Sequence, residues 1–243
     1  MPPILEVRGL SKSFGGLHAV AAVDFSVAAR GILGIAGPNG SGKSTLFNVL
    51  TRIPFGADHG TVLFEGREIQ SLRAHRIARL GVARTFQRES VFPGLSAIDN
   101  VLLAVENSNT TARFPDRVAQ AQRSLDEVGF PATLHNSPAG QLPIFLRKLV
   151  MIASALALQP RLLLLDEPAS SLTAQEIERI KQLILKLKAG GMTILLIEHV
   201  LPLLTSVSDQ LMVLDQGRVI ARGHPSQVIA DPLVVQAYLG RKP

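Results

Sequence analysis

The sequence contains no cysteine, and this absence removes several kinds of site. Without thiols the chain cannot form a disulfide scaffold, a zinc–thiolate centre or a cysteine nucleophile. It also lacks any run of the ~20 apolar residues that a membrane-spanning helix needs. Residues 1–10 carry no basic-then-apolar leader. We therefore expect a soluble, cytosolic chain.

What is present is enough apolar material for a large core. The chain has 243 residues, 47% of them hydrophobic, which excludes a disordered or fibrous protein and allows one large domain or two small ones. Lysines and arginines number 25 against 19 aspartates and glutamates, giving a formal net charge of +6. Composition leaves three partners open for that charge: nucleic acid, an anionic membrane surface or a phosphorylated ligand.

The pattern of predicted elements is typical of one α/β domain with a helical insertion. Short β-branched runs predict an antiparallel start that leads into a buried strand. Two nearly continuous aliphatic runs predict parallel strands buried on both faces and joined by a helix. The predicted strands are 4–7, 23–27, 31–35, 61–64, 82–86, 162–165, 192–197, 211–215 and 218–221, and the predicted helices are 43–50, 72–80, 99–106, 116–128, 147–158 and 173–187.

Residues 37–44, Gly-Pro-Asn-Gly-Ser-Gly-Lys-Ser, fit the phosphate-binding pattern G-x-x-x-x-G-K-[S/T] between a predicted buried strand and a predicted helix. Glycines let successive N–H groups point inward, so that the loop and the helix N-terminus can hold the β-phosphate. Lys43 would neutralise the γ-phosphate and Ser44 would offer its hydroxyl to Mg2+. We assign nucleotide binding to Gly37, Pro38, Asn39, Gly40, Ser41, Gly42, Lys43, Ser44 and Thr45.

A second site signal is the pair of carboxylates that ends the aliphatic run at 162–165. A nucleoside triphosphatase needs a carboxylate for Mg2+ and a group that positions water. The strand delivers Asp166 and Glu167 to the carboxyl edge of the sheet, where the glycine-rich loop also lies. We assign Asp166 to the outer shell of the metal and Glu167 to the attacking water as general base.

Taken together, these residues resemble the ATP-binding subunit of an ABC (ATP-binding cassette) transporter over nearly the whole chain. The resemblance implies a phosphate-loop NTPase (RecA-like) α/β core with a small N-terminal antiparallel β subdomain and an inserted helical subdomain. It also implies that Gln87 contacts Mg2+ and the attacking water, and that His199 forms a hydrogen bond with the γ-phosphate. Gln87, His199 and Lys43 would then be catalytic residues together with Glu167. Phe14 would stack on adenine, and Val20 would be a further nucleotide contact.

The resemblance implies that residues 1–243 form a single ABC ATPase domain. Its core would comprise 1–87 and 161–243, and its helical insertion 88–160. Four short segments are similar to the ATPases of branched-chain amino acid importers: Phe-Gly-Gly-Leu at 14–17, Ala-Arg-Thr-Phe-Gln at 83–87, Leu-Leu-Ile-Glu-His at 195–199 and the ending at 230–240. We expect ATP-driven amino acid import, with three alternatives open: a urea importer, a lipopolysaccharide exporter, or a regulatory cassette with little hydrolysis.

One family motif is degenerate. The signature of this branch, Leu-Ser-Gly-Gly-Gln or Leu-Pro-Tyr-Gly-Gln, falls on residues 142–146, Leu-Pro-Ile-Phe-Leu, in a gap-free register. A side chain and ring at Phe145 would obstruct the close approach to ATP bound by a partner subunit. Gly140 and Gln141 fit only if the register is shifted. A homodimer would then have two poor sites, so we expect a second, different ATPase subunit.

Other classes fit less well. The segment between Lys43 and Asp166 is too short for the coiled coil of DNA-repair ATPases, and no guanine-reading Asn-Lys-x-Asp segment occurs. Much of the positive charge lies in residues 67–88, which hold six arginines against Glu68. A surface for polyanions would spread its charge more widely, so we expect no nucleic-acid partner. We expect ATP and Mg2+ as cofactors, permease subunits, an indirect solute-binding protein, and a position on the inner face of the membrane.

Overall fold

The structure, a computed structural model, describes residues 3–86, 90–108 and 113–239, and its strands form two sheets. The first is antiparallel, in the order β2-β1-β4-β5. The second has the order β10-β9-β3-β8-β7-β6, in which only the hairpin partner β10 runs antiparallel. The strands are β1 (Pro3–Phe14), β2 (Leu17–Ala28), β3 (Ile32–Ala36), β4 (His59–Phe64), β5 (Arg67–Glu68), β6 (Val82–Arg84), β7 (Leu162–Asp166), β8 (Thr193–Ile197), β9 (Gln210–Asp215) and β10 (Arg218–Gly223).

Helices connect the parallel strands and fill the middle of the chain. Three of them, α3 to α5, follow one another between β6 and β7, where the sequence predicts a helical insertion. The helices are α1 (Lys43–Thr51), α2 (Ala74–Arg79), α3 (Ala97–Glu106), α4 (Phe114–Glu127), α5 (Ile144–Leu156), α6 (Ala174–Ala189), α7 (Leu201–Val207), α8 (Pro225–Val228) and α9 (Pro232–Leu239), with short 3-10 turns at Ala132–Leu134 and Ala139–Gln141.

The six-stranded sheet separates two apolar cores. Along β7, Leu163 and Leu165 face the core shared with α3 to α6, whereas Leu162 and Leu164 face the core shared with α1 and the antiparallel sheet. Strands buried on both faces in this way read as continuous aliphatic runs. The carboxyl ends of β3, β6, β7 and β8 meet at one edge, because these strands are parallel.

The structure differs from the sequence prediction mainly at boundaries and short elements. β1 and β2 are much longer than their apolar runs, because the hairpin pairing continues to a turn at Phe14 and Leu17. α5 begins at Ile144, three residues before the predicted start, directly after Pro143. The short elements β5, α7, α8 and α9 were not predicted, since segments of this length carry little periodicity.

None of the helices among the described residues has the length and apolarity that would be needed to cross a membrane.

Candidate nucleotide site

The loop between β3 and α1 is shaped by close backbone contacts. Gly37 has a φ of +146°, and a Cβ there would lie 2.1 Å from the carbonyl oxygen of Leu214. Gly42 has a φ of +104°, and a Cβ there would lie 2.1 Å from the carbonyl oxygen of Ala19. Both positions therefore require glycine. The first N–H groups of α1 have no intrahelical acceptor, so this helix start is suited to bind an anion.

The Lys43 side chain folds back onto this loop. Its Nζ donates hydrogen bonds to the carbonyl oxygens of Gly37, at 2.8 Å, and Pro38, at 3.0 Å. Burial lowers the pKa of the Lys43 ammonium, and the negative charges of Glu167 and Asp166 oppose that shift. An ammonium placed among carbonyl oxygens and carboxylates is held ready for a phosphate group.

Asp166, at the end of β7, is almost completely buried and pairs with Arg84. The guanidinium lies 2.7 Å from Asp166 Oδ2 and also donates to Asn48 Oδ1 and Thr51 Oγ1. Burial raises the pKa of Asp166, and Arg84 opposes the shift. The other carboxylate oxygen, Oδ1, is buried without a hydrogen-bond partner among the described residues. Such an orphaned anionic oxygen fits a nearby cation.

The donor set fits Mg2+ better than a metal held by protein alone. Among residues 3–86, 90–108 and 113–239, no three His, Cys, Asp or Glu side chains cluster as a metal site. Mg2+ commonly uses one or two carboxylates together with substrate phosphates and water. Asp166 and the hydroxyl of Ser44 are suited to hold it in that way, whereas Gln87, the third predicted ligand, lies outside the described residues.

Glu167 and His199 come from neighbouring strands and lie close together. Glu167 follows β7 with a φ of +49°, a conformation that is uncommon for a residue with a side chain and is often found at functional sites. Its backbone N–H donates to the Ile197 carbonyl at the end of β8. His199 Nδ1 lies 3.9 Å from Glu167 Oε2, and half of the His199 side chain is exposed.

Glu198, which the sequence analysis left without a role, connects these two segments. Its side chain is fully buried and accepts hydrogen bonds from the N–H groups of Ala169 at 2.6 Å, His199 at 3.1 Å and Val200 at 3.4 Å. Burial raises the pKa of Glu198, and these hydrogen bonds oppose the shift. The carboxylate therefore fixes the loop after Glu167 against the start of the His199 loop.

Lys148 on α5 holds the same loop from the other side. Its ammonium donates to the Glu167 carbonyl oxygen at 3.1 Å and to Ser170 Oγ at 2.9 Å. Sequence reasoning missed both Lys148 and Glu198. The signal that could have found Glu198 is a carboxylate directly after a buried aliphatic run, since a charge there must be compensated.

An open cavity of about 650 Å3 lies over the phosphate loop. Phe14 stands at its mouth, partly exposed, in edge-to-face contact with Phe55 at 5.0 Å between ring centroids. The predicted site residues that line the cavity are Phe14, Asn39, Gly40, Ser41, Gly42, Lys43, Ser44, Thr45 and Glu167. The rest of the lining consists of residues that were not predicted: Leu17, His18, Ala19, Ala21, Gln216 and Arg218.

The remaining predicted site residues lie elsewhere. Val20 is 1% exposed in the apolar core and does not line the cavity, because its position on β2 points inward. Gly37 and Pro38, the first two residues of the loop, accept hydrogen bonds from the Lys43 ammonium through their carbonyl oxygens and do not line the cavity. Asp166 and His199 lie beside the cavity rather than in its lining.

Two residues of the segment 142–146, Leu142 and Phe145, are buried in the core. The Phe145 ring is 5% exposed and packs beneath the guanidinium of Arg179, 4.5 Å from the ring centroid. The ring therefore does not obstruct a partner from the surface, contrary to expectation, and Ile144 is the exposed residue at the start of α5. Gly140 packs against Pro93 so closely that a Cβ would meet it at 2.9 Å.

The arginine-rich stretch divides into two kinds of residue. Arg67, Arg73, Arg76 and Arg79 are exposed, as a solvated basic collar would be. Arg84 is instead buried in the ion pair with Asp166, so it contributes to the site and not to the surface charge. Arg88 lies outside the described residues.

Comparison with known proteins identifies relatives over the whole length. The ABC transporter family profile matches residues 20–170, and a profile for branched-chain amino acid ATP-binding cassette transporters matches residues 218–242. BraF of Pseudomonas aeruginosa, a high-affinity branched-chain amino acid transport ATP-binding protein, is 40% identical over 98% of both chains. LivG of Escherichia coli K12, with the same description, is 35% identical over 98% of both.

A solved structure matches the fold equally completely. The ADP conformation of MJ1267, an ATP-binding cassette of an ABC transporter, superposes with a TM-score of 0.90 at 31% identity, covering 99% of this chain and 100% of that one.

Proposed function

This chain belongs to the ABC transporter family, and from that premise we propose that it powers the import of branched-chain amino acids through separate transmembrane subunits. It is an ATP-hydrolysing subunit of a transporter, and the resemblance and fold class predicted from the sequence are both confirmed. The amino acid substrate is supported by the descriptions of BraF and LivG. Loss of leucine uptake after deletion of the gene would support it, and undiminished uptake would contradict it.

One observation carries the assignment of individual residues: the phosphate loop, Asp166, Glu167 and His199 meet at the same edge of the sheet. The N–H groups at the start of α1 bind the β-phosphate, and Lys43 leaves its carbonyl partners to neutralise the γ-phosphate. Ser44 and Asp166 hold Mg2+, which, when bound, neutralises charge on the phosphate oxygens. Phe14 stacks on the adenine.

Glu167 and His199 act on the reacting end of the nucleotide. Glu167 orients a water and accepts its proton, while His199 donates a hydrogen bond to the γ-phosphate. Their separation of 3.9 Å supports this assignment, since one phosphate group could contact both. Glu198 and Lys148 keep the two loops in register, as the hydrogen bonds to Ala169 and to the Glu167 carbonyl indicate.

Two variants test this assignment. Lys43→Ala is expected to abolish binding of Mg-ATP, because the loop loses its only ammonium. Glu167→Gln is expected to bind Mg-ATP normally but to hydrolyse it about 100-fold or more slowly, as loss of a general base does. Glu178→Gln on the exposed side of α6 is the matched control. Parental turnover of the Glu167 variant would show that another group is the base.

We further propose that the chain works with a second, different ATPase subunit. The support lies in residues 142–146, where Ile144 is exposed and Phe145 is committed to the chain's own core. No glycine there allows the close approach of backbone that a partner's γ-phosphate requires. Turnover of the purified chain should rise at least about tenfold when its partner ATPase is added. Full turnover of the chain alone would contradict the proposal.

The permease contact is proposed at the basic collar formed by Arg73, Arg76 and Arg79. A cleft of about 730 Å3 adjoins it, lined in part by His75, Arg79 and Arg161. We propose accordingly that the subunit lies on the cytoplasmic face of the membrane and that the solute-binding protein engages only the permease. Arg76→Glu should weaken co-purification with the permease, whereas Arg123→Glu, on exposed α4, should not.

A further inference from the structure

The C-terminal helix α9 reaches the beginning of the phosphate loop. The hydroxyl of Tyr238 accepts a hydrogen bond from the backbone N–H of Gly37 at 2.8 Å, across 201 residues of sequence. Tyr238 is the single tyrosine of the chain. Burial raises the pKa of its phenol, so the hydroxyl remains protonated at neutral pH. Tyr238 of α9 therefore makes a direct contact with the first residue of the phosphate loop.

Gly37 is a position where such a contact has consequences. Its carbonyl oxygen accepts the hydrogen bond from Lys43, while its N–H is bound by Tyr238. Its backbone also passes so close to Leu214 that no side chain fits. Both polar groups of this residue are thus bound by side chains, one from the loop's own helix and one from α9. Displacement of Tyr238 would remove the hydrogen-bond acceptor of the Gly37 N–H, at the start of the phosphate loop.

Among the described residues, α9 has a small apolar anchor. Val234 is its buried residue, whereas Leu233, Val235 and Leu239 are exposed. A helix with a small apolar anchor can undock at low cost, since little buried area is lost. The hydrogen bond from Gly37 is therefore a substantial part of what joins α9 to the loop.

We propose that Tyr238 is a positioning residue for nucleotide binding: docked α9 holds Gly37 and keeps the phosphate loop in its binding-competent shape. The inference rests on the proposed role of this loop in holding phosphate. When only a fraction of the molecules is in the binding-competent state, the apparent Kd equals the intrinsic Kd divided by that fraction. Loss of one hydrogen bond corresponds to a three- to tenfold weaker Kd, on the order of 1 kcal/mol. Binding linkage requires that nucleotide in turn favours docked α9 by the same factor.

The first test compares Tyr238→Phe with Leu239→Ala. Tyr238→Phe removes only the hydroxyl, and calorimetry should show Mg-ADP bound about three- to tenfold more weakly. KM for ATP should rise by the same factor while kcat stays unchanged, because the contact does not involve the reacting atoms. Leu239→Ala, whose side chain is 82% exposed on the same helix turn, should leave Kd unchanged. An unchanged Kd in Tyr238→Phe, or an equal loss in both variants, would overturn the proposal.

The second test needs no nucleotide and therefore separates this inference from the proposed function. In glycine-labelled protein, the Gly37 amide should exchange with solvent faster in Tyr238→Phe than in the parent. An unchanged exchange rate would overturn the contact, whatever the nucleotide affinity. Failure of Lys43→Ala to lose nucleotide binding would instead contradict the proposed function. A 3-fluorotyrosine label gives one resonance, from Tyr238, which should shift when Mg-ADP is added; no shift at saturation would contradict the linkage.

Discussion

The sheet edge proposed to bind nucleotide and the segment 142–146, proposed to face a partner's nucleotide, are built on opposite principles. At the sheet edge, polar groups are buried and compensated: Asp166 by Arg84, and Glu198 by three backbone N–H groups. In the segment 142–146, Leu142 and Phe145 are buried among apolar neighbours.

This difference has a physical meaning for the two halves of an ATP site. Buried charge that is only partly balanced costs folding free energy, so its presence at the sheet edge is explained by chemistry and not by stability. Residues 142–146 contain no glycine, and Leu142 and Phe145 among them pack in the core. Under the proposed assignment, the chain would supply its own catalytic side chains but would offer its partner no glycine in this segment.

The largest expected effect breaks the charge compensation at the sheet edge. Arg84→Met leaves the buried Asp166 carboxylate without its cation and should lower the free energy of unfolding by about 3–5 kcal/mol. Urea unfolding measures this, and exposed Arg79→Met should change it by less than about 0.5 kcal/mol. Recovery in Arg84→Met/Asp166→Asn would show that the uncompensated charge causes the loss. Equal stability of Arg84→Met and Arg79→Met would mean that the ion pair does not contribute to stability.

A somewhat smaller effect is expected when the packing of the segment 142–146 is broken. Phe145→Ala removes a ring from the core and should cost about 3 kcal/mol, at the lower end for such a cavity because Arg179 can settle into it. Ile144→Ala, one residue earlier and exposed, should cost well under about 1 kcal/mol. Thermal and urea unfolding of Phe145→Ala and Ile144→Ala would measure the two losses. Similar losses would contradict the assignment of Phe145 to the core.

The smallest effect concerns the pH dependence of stability at the sheet edge. Burial raises the pKa of Glu198 in the folded chain above its ordinary value of 4.5, so folding favours the protonated form. The stability that this carboxyl contributes is present below its unfolded pKa and is lost as pH rises through the folded pKa. Relative to Glu198→Gln, the parent should lose stability as the pH rises from the carboxyl's ordinary pKa of 4.5 through the raised pKa of the folded chain. A pH-independent difference would contradict the role of this charge.

Local pattern was sufficient for the long elements and for the phosphate loop. The strands β7 and β8 follow from nearly continuous aliphatic runs, and the loop at 37–44 follows from the phosphate-binding pattern G-x-x-x-x-G-K-[S/T]. The predictions for Val20 and for the Phe145 ring were inaccurate because both depend on which way a side chain points. The role of Arg84 could not be assigned from the sequence, since its partner Asp166 lies 82 residues away. The contact of Lys148 with the Glu167 carbonyl likewise depends on how α5 packs.

The sequence by itself determined the family, the phosphate loop and the carboxylates that end β7, because each is a local arrangement of residue types. Only the tertiary structure decided that Arg84 belongs to the site and not to the surface charge. It likewise decided that Phe145 belongs to the core, and that Tyr238 contacts Gly37. The reason is that burial and hydrogen bonding depend on which segments fold against one another, and residues 82, 34 and 201 positions apart come together only when the sheet and its helices have formed.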